Sequence, residues 1–86
     1  MDIKGTRTEQ NLWNAFSGES MARNKYLFFA DKARQEGYAE VAELFERMAQ
    51  NEGVHGKLMY QRLCGIGSTA DNLQEAMTGE YGEWTK

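Results

Sequence analysis

The stretch Met48-Ala49-Gln50-Asn51-Glu52-Gly53-Val54-His55-Gly56-Lys57-Leu58-Met59 sets the architecture of this chain. Met48, Glu52, His55 and Met59 stand at steps of four, three and four, so on a helix all four project from one face. Working outward, the same stripe runs back through Phe45, Leu44 and Val41 and forward to Leu63, which predicts a helix over about residues 39–63. A second periodic stretch precedes it, over about residues 8–36. Its apolar positions are Leu12, Ala15, Phe16, Ala22, Tyr26, Phe29, Ala30 and Ala33. Thr6-Arg7-Thr8-Glu9 is suited to a capping box at its start, and Gly37 to a stop at its end. Only Gly37 and Tyr38 separate the two stretches, so they are expected to form an antiparallel hairpin of helices about 40 Å long.

A third helical segment is expected over about residues 69–85. It begins as a repeat: Thr8 to Glu19 can be laid over Thr69 to Glu80, with six of 12 positions identical and an offset of 61 residues. The chain therefore reads as one helix hairpin followed by the start of a second copy. The expected fold class is all-α, a partial bundle domain over residues 1–86.

Composition limits the function classes. The 86 residues carry 10 Lys+Arg against 13 Asp+Glu, a formal net charge of -3, which argues against a nucleic-acid partner. One Cys excludes an intrachain disulfide framework and a tetra-cysteine metal site. No apolar run is long enough to span a membrane, and no signal peptide is visible at Met1-Asp2-Ile3-Lys4. The resulting expectation is a soluble, cytoplasmic protein. With 86 residues and no disulfide, a metal or self-association is the expected source of added stability.

The polar residues on the apolar stripes point to metal chemistry. Glu19 falls between Phe16 and Ala22 on the first stripe, and Glu52 and His55 fall between Met48 and Met59 on the second. A buried carboxylate without a partner is costly, so three ionisable groups on facing stripes need a shared reason. Glu-x-x-His with a single Glu from a neighbouring helix is half of the ligand set of a bundle di-iron site. Two hairpins about a two-fold axis would complete it. Two copies of Glu19 and Glu52 would balance the charge of two ferrous ions, and carboxylates with few imidazoles suit iron, with manganese or zinc as substitutes.

Other residues carry two readings each. Glu80 and Glu83 are either a solvated helix face or further ligands. Tyr26, two turns beyond Glu19, either hydrogen-bonds a ligand carboxylate or packs in the core. Arg23, four after Glu19, is placed to pair with it. Gly53 and Gly56 flank His55 at a cost of up to about 1 kcal/mol each relative to Ala; they either admit a neighbouring helix or leave room near a metal. Trp13 and Trp84 read as packing residues, Cys64 as a free thiol, and Glu40, Glu43, Glu46 and Arg47 as a solvated face.

At these residues the sequence resembles the N-terminal part of the rubrerythrins, non-haem di-iron peroxidases of the ferritin-like superfamily. The segments that carry the likeness are Gly5-Thr6-Arg7-Thr8-Glu9-Gln10-Asn11-Leu12, Ala15 through Tyr26, Ala33-Arg34-Gln35-Glu36-Gly37-Tyr38, Asn51-Glu52-Gly53-Val54-His55, and Asn72-Leu73 through Thr85. The resemblance implies a four-helix bundle holding two irons. By position, Glu19, Glu52, His55 and Glu80 would be ligands. Glu83 would be the carboxylate beside them that marks the peroxidase site. Tyr26 would be the tyrosine that supports a ligand carboxylate.

The sequence also departs from the family pattern. A fourth helix with its own Glu-x-x-His is absent from these residues, and so is a rubredoxin domain with paired Cys-x-x-Cys motifs. The expectation is therefore a hairpin that homodimerises into a ferritin-like four-helix bundle, reduces hydrogen peroxide, and takes electrons from an external donor such as a rubredoxin-like protein. The alternatives are ferrous oxidation or iron handling, and a non-catalytic dimerisation module.

Overall fold

The computed structural model describes the backbone of residues 2–84 and the side chains of residues 2–78. Three helices follow in order: α1 (Arg7–Gln35), α2 (Ala39–Leu63) and α3 (Thr69–Trp84). The architecture is all-α, as the periodicity predicts, and the helix bounds fall within two residues of those expected. No helix among the described residues is long and apolar enough to cross a membrane.

The caps explain the bounds. At the start of α1 the Glu9 N–H donates to the Thr6 hydroxyl at 3.2 Å. The Glu9 carboxylate reaches one residue further back than a capping box requires, accepting from the Gly5 N–H at 2.8 Å. The Thr6 N–H is occupied by the Ile3 carbonyl, which accounts for the shift. Gly37 has φ 86°. Its N–H donates to the Arg34 carbonyl, and the Tyr38 N–H to that of Ala33, a Schellman turn that needs the left-handed conformation glycine adopts without strain. At α3, Ser68 and Asp71 exchange side-chain-to-backbone bonds at 3.2 Å each, a reciprocal box.

α1 and α2 form the antiparallel hairpin. Its fully buried residues are small: Ala30, Ala33, Ala42, Ala49 and Gly56. On α2 these continue a seven-residue repeat, Ala42, Ala49, Gly56 and then half-buried Leu63, the spacing of a left-handed helix-pair seam. Small side chains let the axes approach. The large members of the expected stripes lie beside this seam: Phe29, Val41, Leu44 and Leu58 remain exposed. The physical reason is that two helices cover only one side of each stripe. Tyr26, Phe29 and Phe45 form an aromatic cluster near the turn, with Tyr26 and Phe45 stacked at 6.3 Å. Arg34 and Glu46 tie the helices at 2.6 Å near the same end.

α3 stands apart. Its backbone packs against neither α1 nor α2, and all its described residues are exposed. Among the described residues one side-chain bond joins it to the hairpin, from the Tyr60 hydroxyl to the Glu75 carboxylate at 3.0 Å. The chain exposes 7058 Å², whereas a compact monomer of its mass exposes about 5,200 Å². Its radius of gyration is 16.2 Å, against about 12 Å for a compact chain of this length. The excess per chain is larger than the roughly 800 Å² that each partner of a standard-sized dimer buries.

Candidate metal centre

The middle of the hairpin brings three of the expected ligands together. Glu19 projects from α1, and Glu52 and His55 from adjacent turns of α2. One ligand atom from each lies within 4.8 Å of the others. Glu19 is mostly covered, with 23% of its side chain exposed, whereas 57% of His55 is exposed. The cluster is therefore floored by the hairpin and open on one face.

Two details fit the donor set to a divalent cation. The Glu19 Oε2 atom is shielded from solvent and has no hydrogen-bond partner. An orphan carboxylate oxygen of this kind costs about 1–3 kcal/mol or more. The nearest candidate partner, His55 Nδ1, is 3.7 Å away, too far for a hydrogen bond. Two carboxylates and one imidazole are also a donor set that suits iron or manganese over thiolate-seeking metals.

The surroundings settle several open readings. The Cβ of an alanine at Gly56 would meet the Phe16 ring at 3.8 Å and Glu19 Cβ at 4.0 Å. Gly56 thus lies where α1 crosses closest to the site. Arg23 does not pair with Glu19; its side chain lies over Gly53, 3.4 Å from where a Cβ would stand. It lines a groove of mixed character with Leu27, Glu46, Gln50, Val54 and Lys57. The Tyr26 ring lies in the aromatic cluster near the turn, and its hydroxyl has no hydrogen bond to Glu19 or Glu52 among the described residues. Cys64 is an exposed free thiol. The side chains of Glu80 and Glu83 lie outside the described residues.

One cluster escaped the sequence reading. Trp13, Phe16 and Tyr60 meet edge-on or tilted, with ring centroids 5.4 to 6.5 Å apart, at the open end of the hairpin. Tyr60 lies four residues after Gly56, so the signal was its position on the small-residue seam. Its hydrogen bond to Glu75 chiefly, with some burial, raises its pKa above the ordinary tyrosine value.

The sequence model of the rubrerythrin family matches residues 10–81. The chain belongs to the rubrerythrin family. Rubrerythrin of Porphyromonas gingivalis is 44% identical over an alignment that covers 96% of this chain and 48% of the relative. Rubrerythrin-1 of Clostridium acetobutylicum is 37% identical, over 96% and 51%. Rubrerythrin of Nitratidesulfovibrio vulgaris is 34% identical, over 98% and 51%. The chain spans about half the length of these curated relatives. Membership of this family implies iron as the metal, and Glu19, Glu52 and His55 are the candidate ligands that the fold brings together.

Proposed function

We propose that the chain is a rubrerythrin-type di-iron protein that reduces hydrogen peroxide, with its centre assembled from two copies of the hairpin. The observation that carries this is the Glu19–Glu52–His55 cluster with its orphan carboxylate oxygen. These 86 residues contain one Glu-x-x-His, which is half the usual set. On α2, Val41, Met48, Glu52, His55 and Met59 share one stripe, so the open side of the cluster lies in an apolar face. Phe29 continues that face on α1 in the groove beside Val41 and Phe45. Two such faces meeting about a two-fold axis bury exposed apolar surface and bring two triads together.

When bound, a pair of ferrous ions supplies the two electrons that take hydrogen peroxide to water. The protein groups do the rest. Two copies of Glu19 and Glu52 neutralise the metal charge, and neutral His55 donates nitrogen without adding any. Taking hydrogen peroxide to two waters also consumes two protons, which a free oxygen of Glu19 or Glu52 and solvent water would supply. Phe16, packed at Gly56, keeps one side of the pocket apolar. A rubredoxin-like donor would return the electrons. By motif position Glu80 and Glu83 would join the ligand set if the third helix reaches the centre.

Native mass spectrometry after anaerobic ferrous loading tests the proposal. A dimer retaining two irons is expected, followed by faster ferrous oxidation with peroxide than with oxygen. Four irons per dimer would bring Glu80 and Glu83 into the ligand set. Faster reaction with oxygen would favour ferrous oxidation as the role, and no retained iron would remove the di-iron reading.

A further inference from the structure

The aromatic cluster at the open end of the hairpin holds no metal ligand, but it adjoins the candidate centre. Phe16 stands three residues before Glu19 on α1, and Gly56 directly follows His55 on α2. A Cβ at Gly56 would lie 3.8 Å from the Phe16 ring and 4.0 Å from Glu19 Cβ. The Tyr60 ring packs on Phe16 with 5.4 Å between centroids, and the Trp13 ring stands edge-on to both. Tyr60 lies five residues beyond His55, about 7.5 Å along the helix axis. A run of packed side chains thus joins the candidate ligands to the Tyr60 ring.

Tyr60 also has what a phenol needs to give up an electron near neutral pH. A tyrosine that loses an electron becomes a strong acid, so a base must stand ready for its proton. The Tyr60 hydroxyl already donates to the Glu75 carboxylate at 3.0 Å, within reach for direct proton transfer. Among the described residues, Tyr60 is the tyrosine whose hydroxyl meets a carboxylate. The same bond, with some burial, raises the Tyr60 pKa, so the phenol keeps its proton until it is oxidised. Glu75 is presented from an anchored helix start, where Gly67 and Asn72 exchange two bonds at 3.1 Å and Ser68 and Asp71 form the cap.

The triad supplies the need for such a donor. One hairpin brings together one set of Glu19, Glu52 and His55. A separate chain, or a half-loaded pair, therefore offers ligands to a single ferrous ion. One ferrous ion gives one electron, whereas hydrogen peroxide takes two on its way to two waters. With one electron alone, the O–O bond breaks to water and a hydroxyl radical.

We infer that Tyr60 is the second electron donor at a half-filled centre, with Glu75 as the acceptor of its proton. Hydrogen peroxide, one ferrous ion, the Tyr60 phenol, the Glu75 carboxylate and two protons from solvent give two waters, one ferric ion, a neutral Tyr60 phenoxyl radical and protonated Glu75. The O–O bond breaks, one electron comes from the ferrous ion and one from the Tyr60 ring, and the Tyr60 O–H bond passes its proton to Glu75. A one-electron reductant in solution, of the ascorbate class, then restores the phenol. This inference rests on the proposed reaction with peroxide but assigns a role to a pair of residues outside the ligand set.

Freeze-quenched electron paramagnetic resonance tests it. The chain is loaded anaerobically with one ferrous ion for every two chains and mixed with hydrogen peroxide. The expected result is one ferric ion per peroxide and an organic radical whose splitting collapses when ring-deuterated tyrosine is incorporated. Tyr60→Phe keeps the ring and its packing and should remove the signal. Glu75→Gln should lower the radical yield severalfold. A sample loaded with one ferrous ion per chain should form two ferric ions per peroxide with little radical. A tyrosine radical that survives Tyr60→Phe, or ferric ion formed at half loading without any tyrosine radical, would overturn the role of Tyr60 and leave the proposed centre standing. No retained iron at either loading, or none oxidised by peroxide, would overturn both.

Discussion

Two segments of this chain are near copies and end in opposite states. Thr8 to Glu19 and Thr69 to Glu80 share six of 12 residues, and both are helical. In the first, Phe16 packs on Tyr60 and against Gly56, and Glu19 enters the metal cluster. In the second, Met77 at the place of Phe16 and Leu73 at the place of Leu12 lie open to solvent. The repeat encodes a helix with an apolar stripe and a carboxylate. Burial of that stripe depends on a facing helix, which α2 supplies to the first copy and no element among the described residues supplies to the second. The first copy shows what the second lacks: a seam of small residues to lie on.

The largest expected effect is on metal. Glu52→Ala combined with His55→Ala should abolish iron retention, read in native mass spectrometry as the loss of the bound ions from the proposed dimer. The metal-free protein should not be weakened in step, because fewer unpaired polar groups remain on the face. A thermal melt without metal checks this, and a large drop in stability would show that these residues serve packing.

The next effect compares the copies directly. Phe16→Ala should cost about 2 kcal/mol of hairpin stability, below the value for a fully buried Phe because the ring is half-covered. Met77→Ala should stay within about 0.5 kcal/mol in dilute, monomeric protein. Its effect should grow with protein concentration if α3 docks on a second copy. Urea unfolding at two concentrations reads both. Equal costs for the two substitutions in monomer would mean that α3 is packed on its own hairpin.

Gly56→Ala should stabilise the metal-free hairpin by up to about 1 kcal/mol. The added Cβ meets Phe16 and Glu19 at ordinary contact distances, so helix propensity is gained without a clash. A lowered melting temperature would mean that α1 lies closer than this geometry allows.

The smallest effect concerns the tether of α3. The Glu75 carboxylate holds the Tyr60 phenol in its protonated form and raises its pKa above the ordinary tyrosine value. The stabilisation from this bond is therefore full below the ordinary value and disappears as pH rises through the raised one. An ultraviolet titration should show Tyr60 ionising later than in Glu75→Gln. Identical curves would remove the bond as a tether.

Much of the site was legible before the structure. Glu19, Glu52 and His55 were marked by ionisable groups on apolar stripes, a conflict that a shared metal resolves. The seam was harder to see, because the periodicity was carried by Leu, Phe and Met while Ala42, Ala49 and Gly56 make the closest approach. Hydrophobic spacing reports which side of a helix is apolar; the large residues beside a narrow contact share that side without being covered by it. Arg23 was misplaced for a related reason. Four residues after Glu19 it is close in sequence, but the open side of Gly53 across the hairpin gives its long side chain more surface to lie on.

What the sequence determined alone was local. Capping residues and Gly37 bound the helices, a short turn made the first two antiparallel, and the step of three from Glu52 to His55 put both on one face. These follow from backbone geometry within a few residues. Only the tertiary structure decided which side of each stripe is covered, that Glu19 Oε2 is left without a partner, and that α3 leaves Leu73 and Met77 exposed. Those outcomes depend on distances between elements far apart in sequence, where the size of an alanine or a single Tyr60–Glu75 bond sets how the helices approach and how α3 is turned.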